Sequence, residues 1–108
     1  MTTERIVTIF GGSKCGADSV EYREAHRVGE LLAEDRFTIC TGGYSGVMEA
    51  ASRGAHERGG RVIGITMKQF DKEPNRYLTE TFPSEHFYER LQRLIANAQL
   101  LRPWENAS

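Results

Sequence analysis

A glycine-rich stretch, Thr41–Glu49, constrains the fold of this chain more than any other part of its sequence. It follows a short apolar run, Phe37–Cys40, that predicts a buried strand, and it leads directly into a helix predicted from Val47 to about Arg58. Its three glycines allow a sharp turn and a close approach of the backbone to a ligand. A helix that begins here turns unpaired N–H groups and the positive end of its dipole toward the loop. The stretch therefore predicts a phosphate site.

Similar units lie on both sides of this stretch. Arg5–Phe10 predicts a first buried strand, Ser19–Glu34 a first helix and Arg61–Thr66 a third strand. The predicted order is βαβαβ, which is half of a doubly wound nucleotide-binding fold with right-handed crossovers. A chain of 108 residues has room for one domain. We therefore predict a single Rossmann-like nucleotide-binding domain over residues 1–108, a three-layer α/β sandwich around a parallel sheet of about four strands.

Each of these helices carries one face of small or apolar residues at helical spacing. On the second helix the face is unusually small, which predicts close packing of its backbone on the sheet: Val47, Ala50, Ala51, Gly54 and Ala55. On the first helix the residues that we expect to face the sheet are Tyr22, Ala25, Gly29 and Leu32.

The last third of the chain is less regular. Met67–Thr81 predicts a long irregular connection that either moves or lies over the site. Ser84 is a candidate cap for a last helix, Glu85–Asn97, and Gln99–Leu101 is a candidate short fourth strand. The predicted buried stripe of the last helix is Phe87, Leu91, Leu94, Ile95 and Ala98.

Charge and composition exclude several classes of protein. A net charge of −1 argues against a nucleic-acid partner, which requires a strongly basic face. No apolar run approaches the roughly 18 residues of a transmembrane helix, and the N-terminus has no signal-peptide pattern. Cys15 and Cys40 form no CxxC motif, so we predict reduced thiols in a cytoplasmic protein.

Motifs for a metal or a cofactor are also missing. The glycines of the first loop, Gly11, Gly12 and Gly16, do not have GxGxxG spacing, and Cys40 stands where a dinucleotide-binding domain needs an acidic residue. No GxxxxGK[ST] loop for a nucleoside triphosphate is present. The three histidines are scattered without metal-ligand spacing. We therefore predict no metal and no cofactor.

Two glycine loops point to one binding site. In an open parallel sheet, ligands bind beyond the carboxyl ends of the strands. Gly11–Ser13 and Gly42–Gly46 both follow such ends. The first loop alone is explained equally well by packing, but the convergence of two loops predicts a site for a small nucleotide or phosphate ligand.

Two charged residues near this site have alternative interpretations. Glu49, in the first turn of the second helix, either stabilises the helix dipole or accepts a hydrogen bond from a ligand hydroxyl. Arg90 lies at the border of the last helix's apolar stripe. It is either an ordinary boundary residue with its charge in water or a residue that reaches a phosphate or a base at the sheet edge.

Taken together, the runs VTIFGGS, TGGYSGVMEAASRGAHERGG, RVIGIT, LTE and HFYERLQRL resemble the LONELY GUY family, long described as possible lysine decarboxylases. The resemblance covers about Arg5 to Ala98. It implies a Rossmann-like homodimer and hydrolysis of the N-glycosidic bond of nucleoside 5′-monophosphates, such as AMP or cytokinin nucleotides. Relatives of the same fold include a carrier that binds the molybdenum cofactor without that hydrolysis.

The resemblance also implies roles for individual residues. Arg90 matches an arginine that takes part in catalysis, and Met48 matches a methionine that lies against the ligand. The positions that match the family's two glycine loops are Gly12, Ser13, Gly42, Gly43 and Gly46. With Met48 and Glu49, these form the predicted ligand-binding set.

The chain departs from the family in two places. Leu91 stands where the family has a lysine after the arginine. The Pro-Gly-Gly-x-Gly-Thr loop, which cradles the phosphate, and its downstream catalytic glutamate are missing after Arg102-Pro103. We therefore expect a member truncated or diverged relative to the family, with an edge strand buried in a homodimer. Three functions remain open: a nucleotide hydrolase, a non-catalytic nucleotide or molybdenum-cofactor-type binding module, and an inactive fragment of a longer member.

Overall fold

The computed structural model describes residues 5–98, which form four strands and three helices. In chain order these are β1 Arg5–Thr8, α1 Val20–Glu34, β2 Phe37–Thr41, α2 Val47–Glu57, β3 Val62–Met67, β4 Glu80–Ser84 and α3 Phe87–Ala98. The predicted βαβαβ order is confirmed, with boundaries that differ by no more than two residues. None of the helices within this range is long and apolar enough to cross a membrane.

The strands form one parallel sheet in the order β1-β2-β3-β4. Val7 pairs with Ile39, Ile39 with Val62, and Ile65 with Phe82. Helices α1 and α2 cover one face of the sheet and α3 covers the other. The predicted fold class, a Rossmann-like three-layer α/β sandwich with about four parallel strands, is therefore confirmed.

The core is divided between the two faces of the sheet, because successive side chains of a strand point to opposite sides. Ile39 and Val62 pack with Ala55 on the side of α1 and α2. Ile63 and its neighbours pack with Leu94 of α3 on the other side. Burial on both faces explains why β2 and β3 carry apolar residues and threonines but no charged side chain.

The small residues of α1 and α2 serve contact between the two helices. A Cβ atom on Gly29 would lie 2.9 Å from the carbonyl carbon of Ala51, and one on Gly54 would lie 2.9 Å from the backbone nitrogen of Glu30. Ala55 does pack against the sheet. The prediction that the whole small face of α2 rests on the sheet is therefore wrong at Gly54, which faces α1. The prediction that Gly29 of α1 faces the sheet is also wrong, because Gly29 faces α2.

The irregular connection is shorter than predicted, because a strand occupies its end. Residues 68–79 connect β3 to β4, and Arg61 holds the start of β4 through two 2.6 Å hydrogen bonds to Glu80. The candidate fourth strand Gln99–Leu101 lies outside the described residues. The observed β4 was missed because Pro83 and exposed residues interrupt any apolar pattern, which an edge strand tolerates.

Helix α3 begins at Phe87, and Ser84 ends β4 with a buried side chain instead of serving as the predicted cap. Leu94 is buried as predicted, whereas the side chains of Leu91 and Ile95 are 37% and 55% exposed. The predicted stripe is wrong at these two positions. The inward face of α3 carries Arg90 beside Leu94 and points toward the ends of the strands.

Candidate functional site

The carboxyl ends of β1, β2 and β3 surround one cavity of about 440 Å³. We call residues 9–19 the first loop, residues 42–46 the second loop and residues 68–79 the connection. Helix α3 closes one side. The lining consists of Ile9, Phe10, Gly11, Gly12, Ser13, Gly42, Tyr44, Met48, Phe70, Lys72, Arg90, Leu91 and Leu94.

The two glycine loops are hydrogen-bonded to each other. The Val47 N–H donates to the Gly12 carbonyl over 2.9 Å, and Ser45 Oγ donates to the Ser13 carbonyl over 2.9 Å. Gly46 has φ +73°, and a Cβ there would lie 2.7 Å from Ser13 Cα. The first loop therefore occupies the start of α2, so the first N–H of that helix is not presented to a ligand.

The second loop supports the cavity from behind. A Cβ on Gly42 would collide with the Arg90 guanidinium and lie 2.6 Å from Met48 Sδ. Gly43 has φ +88°, and its carbonyl accepts a 2.8 Å hydrogen bond from the Asn75 N–H. Its own N–H donates to Thr41 Oγ1. The glycines of this loop thus allow close approach and a turn, while most of their polar groups are used internally.

Arg90 brings a positive charge to the lining of the cavity. Its Nε donates to the Ile65 carbonyl over 2.8 Å and its Nη2 donates to the Gly42 carbonyl over 3.0 Å. The guanidinium carbon lies 5.6 Å from the centroid of the Tyr44 ring. Burial lowers the pKa of Arg90, although an arginine remains charged at neutral pH. Within residues 5–98, no carboxylate pairs with it.

The connection brings two residues to the cavity that the sequence analysis missed, Phe70 and Lys72. It is fixed to the second loop through Asn75, whose N–H donates to Gly43 and whose Nδ2 donates to the Tyr44 carbonyl over 2.9 Å. The signal in the sequence was weak, because an aromatic residue and a lysine in a polar segment are common. No sequence pattern marks Asn75 as the residue that anchors the connection to the second loop.

Tyr44 is a further lining residue that sequence reasoning missed. Its ring is buried, and its hydroxyl donates to the Met67 carbonyl over 3.2 Å and accepts from the Met67 N–H over 2.9 Å. The Phe70 ring lies against it, with 5.4 Å between the centroids. Tyr44 therefore joins the second loop to the end of β3 and supports one wall of the cavity.

The structure separates the predicted site residues into two groups. Five of them line the cavity: Gly12, Ser13, Gly42, Met48 and Arg90. Gly43, Gly46 and Glu49 are outside its lining. Glu49 Oε2 instead accepts a 2.8 Å hydrogen bond from the Tyr22 hydroxyl of α1. Burial, and next the hydrogen bond to Glu49, raise the pKa of Tyr22.

A cluster of potential metal ligands lies away from the cavity, between α1 and α2. His26 Nε2 is 2.7 Å from Glu57 Oε1, and His26 Nδ1 is 3.8 Å from Glu30 Oε1. Arg58 pairs with Glu30 at 3.0 Å and Arg53 with Glu57 at 3.1 Å. The hydrogen bonds from His26 and Arg53 lower the pKa of Glu57. The arginines already neutralise the carboxylates, so the cluster is explained as an ion-pair network between the helices.

The parallel sheet and the cavity at its carboxyl edge define a ligand-binding module of Rossmann-like fold. The sequence profile of the SLOG cluster4 family matches residues 4–96, so the chain belongs to that family. This result supports a SLOG and Rossmann-like superfamily, and it does not single out the LONELY GUY family that the sequence motifs resemble.

The chain is also similar to three known proteins. An uncharacterized protein of Archaeoglobus fulgidus is 42% identical over 65 residues, which are 60% of this chain and 42% of that protein. The X-ray structure of TM1055 is 29% identical with a TM-score of 0.72, covering 89% of this chain and 57% of TM1055. The molybdenum cofactor carrier protein of Chlamydomonas reinhardtii is 28% identical with a TM-score of 0.67, covering 78% of this chain and 52% of the carrier. The chain thus spans about half the length of these relatives.

Proposed function

We propose that this protein binds a small phosphorylated ligand of the nucleotide type, without turning it over. The observation that carries the proposal is the guanidinium of Arg90, which faces the cavity with no carboxylate partner within the described residues. A half-buried cation in that position is stabilised when an anion binds, because the anion replaces the water that burial has removed.

The geometry of Arg90 supports this function. Two backbone carbonyls, of Ile65 and Gly42, hold the guanidinium in place, so little side-chain freedom is lost on binding. Lys72 supplies a second positive charge, and no aspartate or glutamate of residues 5–98 is part of the lining. The volume of about 440 Å³ is within the range of roughly 300–1,000 Å³ that is typical of small-molecule pockets.

Hydrolysis of nucleoside 5′-monophosphates is the second candidate, favoured by the position of Arg90 in the cavity and by the resemblance to the LONELY GUY family. That reaction requires a carboxylate near the ribose to stabilise the developing positive charge and to activate water. No carboxylate lines the cavity in residues 5–98, and Glu49 is bonded to Tyr22. Binding without hydrolysis is therefore the better supported proposal.

A ligand of the molybdenum-cofactor type is a further candidate cargo, because a carrier of that cofactor is a structural neighbour. The cations that line the cavity can pair with the phosphate of such a molecule, and the aromatic side chains that line it can stack on a flat ring. The lining contains no cysteine, histidine or carboxylate within the described residues, so the cavity offers a metal ion no strong side-chain ligand. We therefore expect recognition of the organic part.

Binding of AMP is the direct test, measured by calorimetry and by protection against thermal unfolding. Replacing Arg90 with alanine is expected to weaken binding by about 10- to 100-fold, the range of a hydrogen bond to a charged group. The matched control is Arg93→Ala on the same helix, because Arg93 bonds to Pro83 and Ser84 instead of lining the cavity. Equal binding by both variants would contradict the proposal. Release of adenine that depends on Arg90 would favour the hydrolase.

We also propose that the protein forms a homodimer. The single domain over residues 1–108 stays a prediction from the sequence. The side chains of Tyr88, Leu91 and Ile95 are exposed at helical spacing along α3, and a partner copy that covered them would remove apolar surface from water. Sedimentation at micromolar concentration tests this proposal, and a stable monomer would contradict it. The cytoplasmic location stays a prediction from the sequence.

A further inference from the structure

Another cavity, of about 350 Å³, lies between α1 and α2 and shares no lining residue with the cavity at the strand ends. We call it the helix-pair cavity. Arg23 and Arg27 line it from α1, and Arg53 lines it from α2. Among the described residues, Glu30 is the one carboxylate of its lining. The lining is therefore positively charged at neutral pH, although the net charge of the whole chain is −1.

The ion pairs of this region do not compensate the charge of Arg23. Its Nη1 donates to the backbone carbonyl of Asp18 over 2.9 Å, and no carboxylate within residues 5–98 forms an ion pair with it. The carboxylate of Glu30 is shared, because it lies 3.3 Å from Arg27 and 3.0 Å from Arg58. The helix-pair cavity therefore keeps more positive than negative charges in its lining even with its ion pairs formed.

Arg23 and Arg27 are also neighbours on the surface of α1. They are four residues apart, and side chains at this spacing lie one above the other on the same helix face. Like charges at this spacing repel each other and destabilise the helix. An anion that contacts both guanidiniums replaces this repulsion by attraction, so the pair gains from a ligand that the protein alone does not supply.

We propose that the helix-pair cavity is a second binding site, for a compact anion that carries two or more negative charges, such as a diphosphate. Arg23 and Arg27 contact the anion from α1 and Arg53 contacts it from α2, so the anion bridges the two helices. A guanidinium has five N–H donors. Arg53 can therefore keep its 3.1 Å hydrogen bond from Nε to Glu57 while it donates to the anion. This site is independent of the function proposed for the cavity at the strand ends.

Calorimetric titration with pyrophosphate tests the site, and the same affinity is expected with and without an excess of AMP. Arg23→Gln and Arg27→Gln are each expected to weaken pyrophosphate binding by at least about threefold, since each removes one exposed ion pair with the ligand. The matched control is Arg36→Gln, which removes the same charge from an exposed position outside the cavity and is expected to leave the binding unchanged. Arg23→Lys keeps the charge and is expected to retain most of the affinity.

Other anions show whether the site recognises multiple negative charge. Citrate is expected to bind as well, and acetate at least about tenfold more weakly than pyrophosphate. The inference is overturned if pyrophosphate does not bind at an ionic strength of about 50 mM, where screening is weak, or if acetate binds as tightly. An equal loss of binding in Arg36→Gln and Arg23→Gln would also overturn it. Displacement of pyrophosphate by AMP would place the anion at the strand ends, which overturns this inference and leaves the proposed function intact.

Discussion

Replacing Gly42 with alanine tests whether the second loop controls the position of Arg90. The added Cβ would collide with the Arg90 guanidinium and lie 2.6 Å from Met48 Sδ. Both neighbours are ends of flexible side chains, so they are expected to move. Arg90 can withdraw only by breaking its 3.0 Å hydrogen bond to the Gly42 carbonyl.

The size of the effect follows from that bond. A hydrogen bond from a charged group contributes about 1.5–3 kcal/mol to the free energy of unfolding. Gly42 does not have a positive φ, so its backbone conformation tolerates alanine. Alanine also restricts the unfolded chain, which adds about 0.4–1 kcal/mol to the free energy of unfolding. We expect Gly42→Ala to lower the free energy of unfolding by about 1–2 kcal/mol and to weaken AMP binding as strongly as Arg90→Ala does.

A double-mutant cycle separates this effect from general crowding. Urea unfolding of the wild type, Gly42→Ala, Arg90→Ala and the double variant gives the coupling energy between the two positions. We expect a coupling of at least about 1 kcal/mol, because the collision disappears when the arginine is absent. The Met48 contact is present in both backgrounds and cancels. If Gly42→Ala costs the same in the Arg90→Ala background, the close approach does not explain the glycine.

Three further predictions concern other positions. Gly12→Ala is expected to weaken AMP binding by at least about fivefold, and Gly16→Ala is expected to leave it unchanged. A Cβ at either position meets nothing within 4 Å, but only Gly12 lines the cavity. Equal effects of the two variants in a calorimetric titration would refute this prediction. Burial raises the pKa of the Cys40 thiol to about 11, so the folded state retains this proton longer than the unfolded state. Unfolding free energy is therefore expected to fall by about 2–3 kcal/mol between pH 9 and 11, and Cys40→Ala to reduce this fall in urea titrations. Glu49→Gln is expected to cost about 1 kcal/mol of stability by weakening the bond from Tyr22, with AMP binding unchanged; weaker binding would return Glu49 to the site.

The strands and helices that could be predicted are those marked by residues within or next to the element itself. The buried strands β2 and β3 are apolar runs that end at glycine or polar residues, and Ser19 caps α1 as an N-terminal serine should, accepting from the Tyr22 N–H. Helical spacing identified the small face of α2 but not its partner. A pattern along one helix shows which residues share a face. Which element packs against that face, here α1 against Gly54, depends on the whole fold.

The candidate site was predictable where two loops leave neighbouring strands. Convergence of Gly12 and Gly42 follows from the topology of a parallel sheet alone. Phe70 and Lys72 were not predictable, because their approach depends on the hydrogen bonds of Asn75 to a loop more than thirty residues earlier in the chain. The sequence left two interpretations of Arg90 open, a boundary residue with its charge in water and a residue that reaches a ligand. Its hydrogen bonds to two backbone carbonyls hold the guanidinium at the cavity.

The bond between the Val47 N–H and the Gly12 carbonyl bears on how such a domain diversifies. With the first N–H of the helix satisfied inside the protein, the positive charge of the lining, among the described residues, comes from two replaceable side chains, Arg90 and Lys72. Exchange of these two residues is expected to adapt the same scaffold to neutral or cationic molecules, while the bond that holds the loops together is untouched. The fold then stays constant, and ligand choice changes through the side chains that line the cavity.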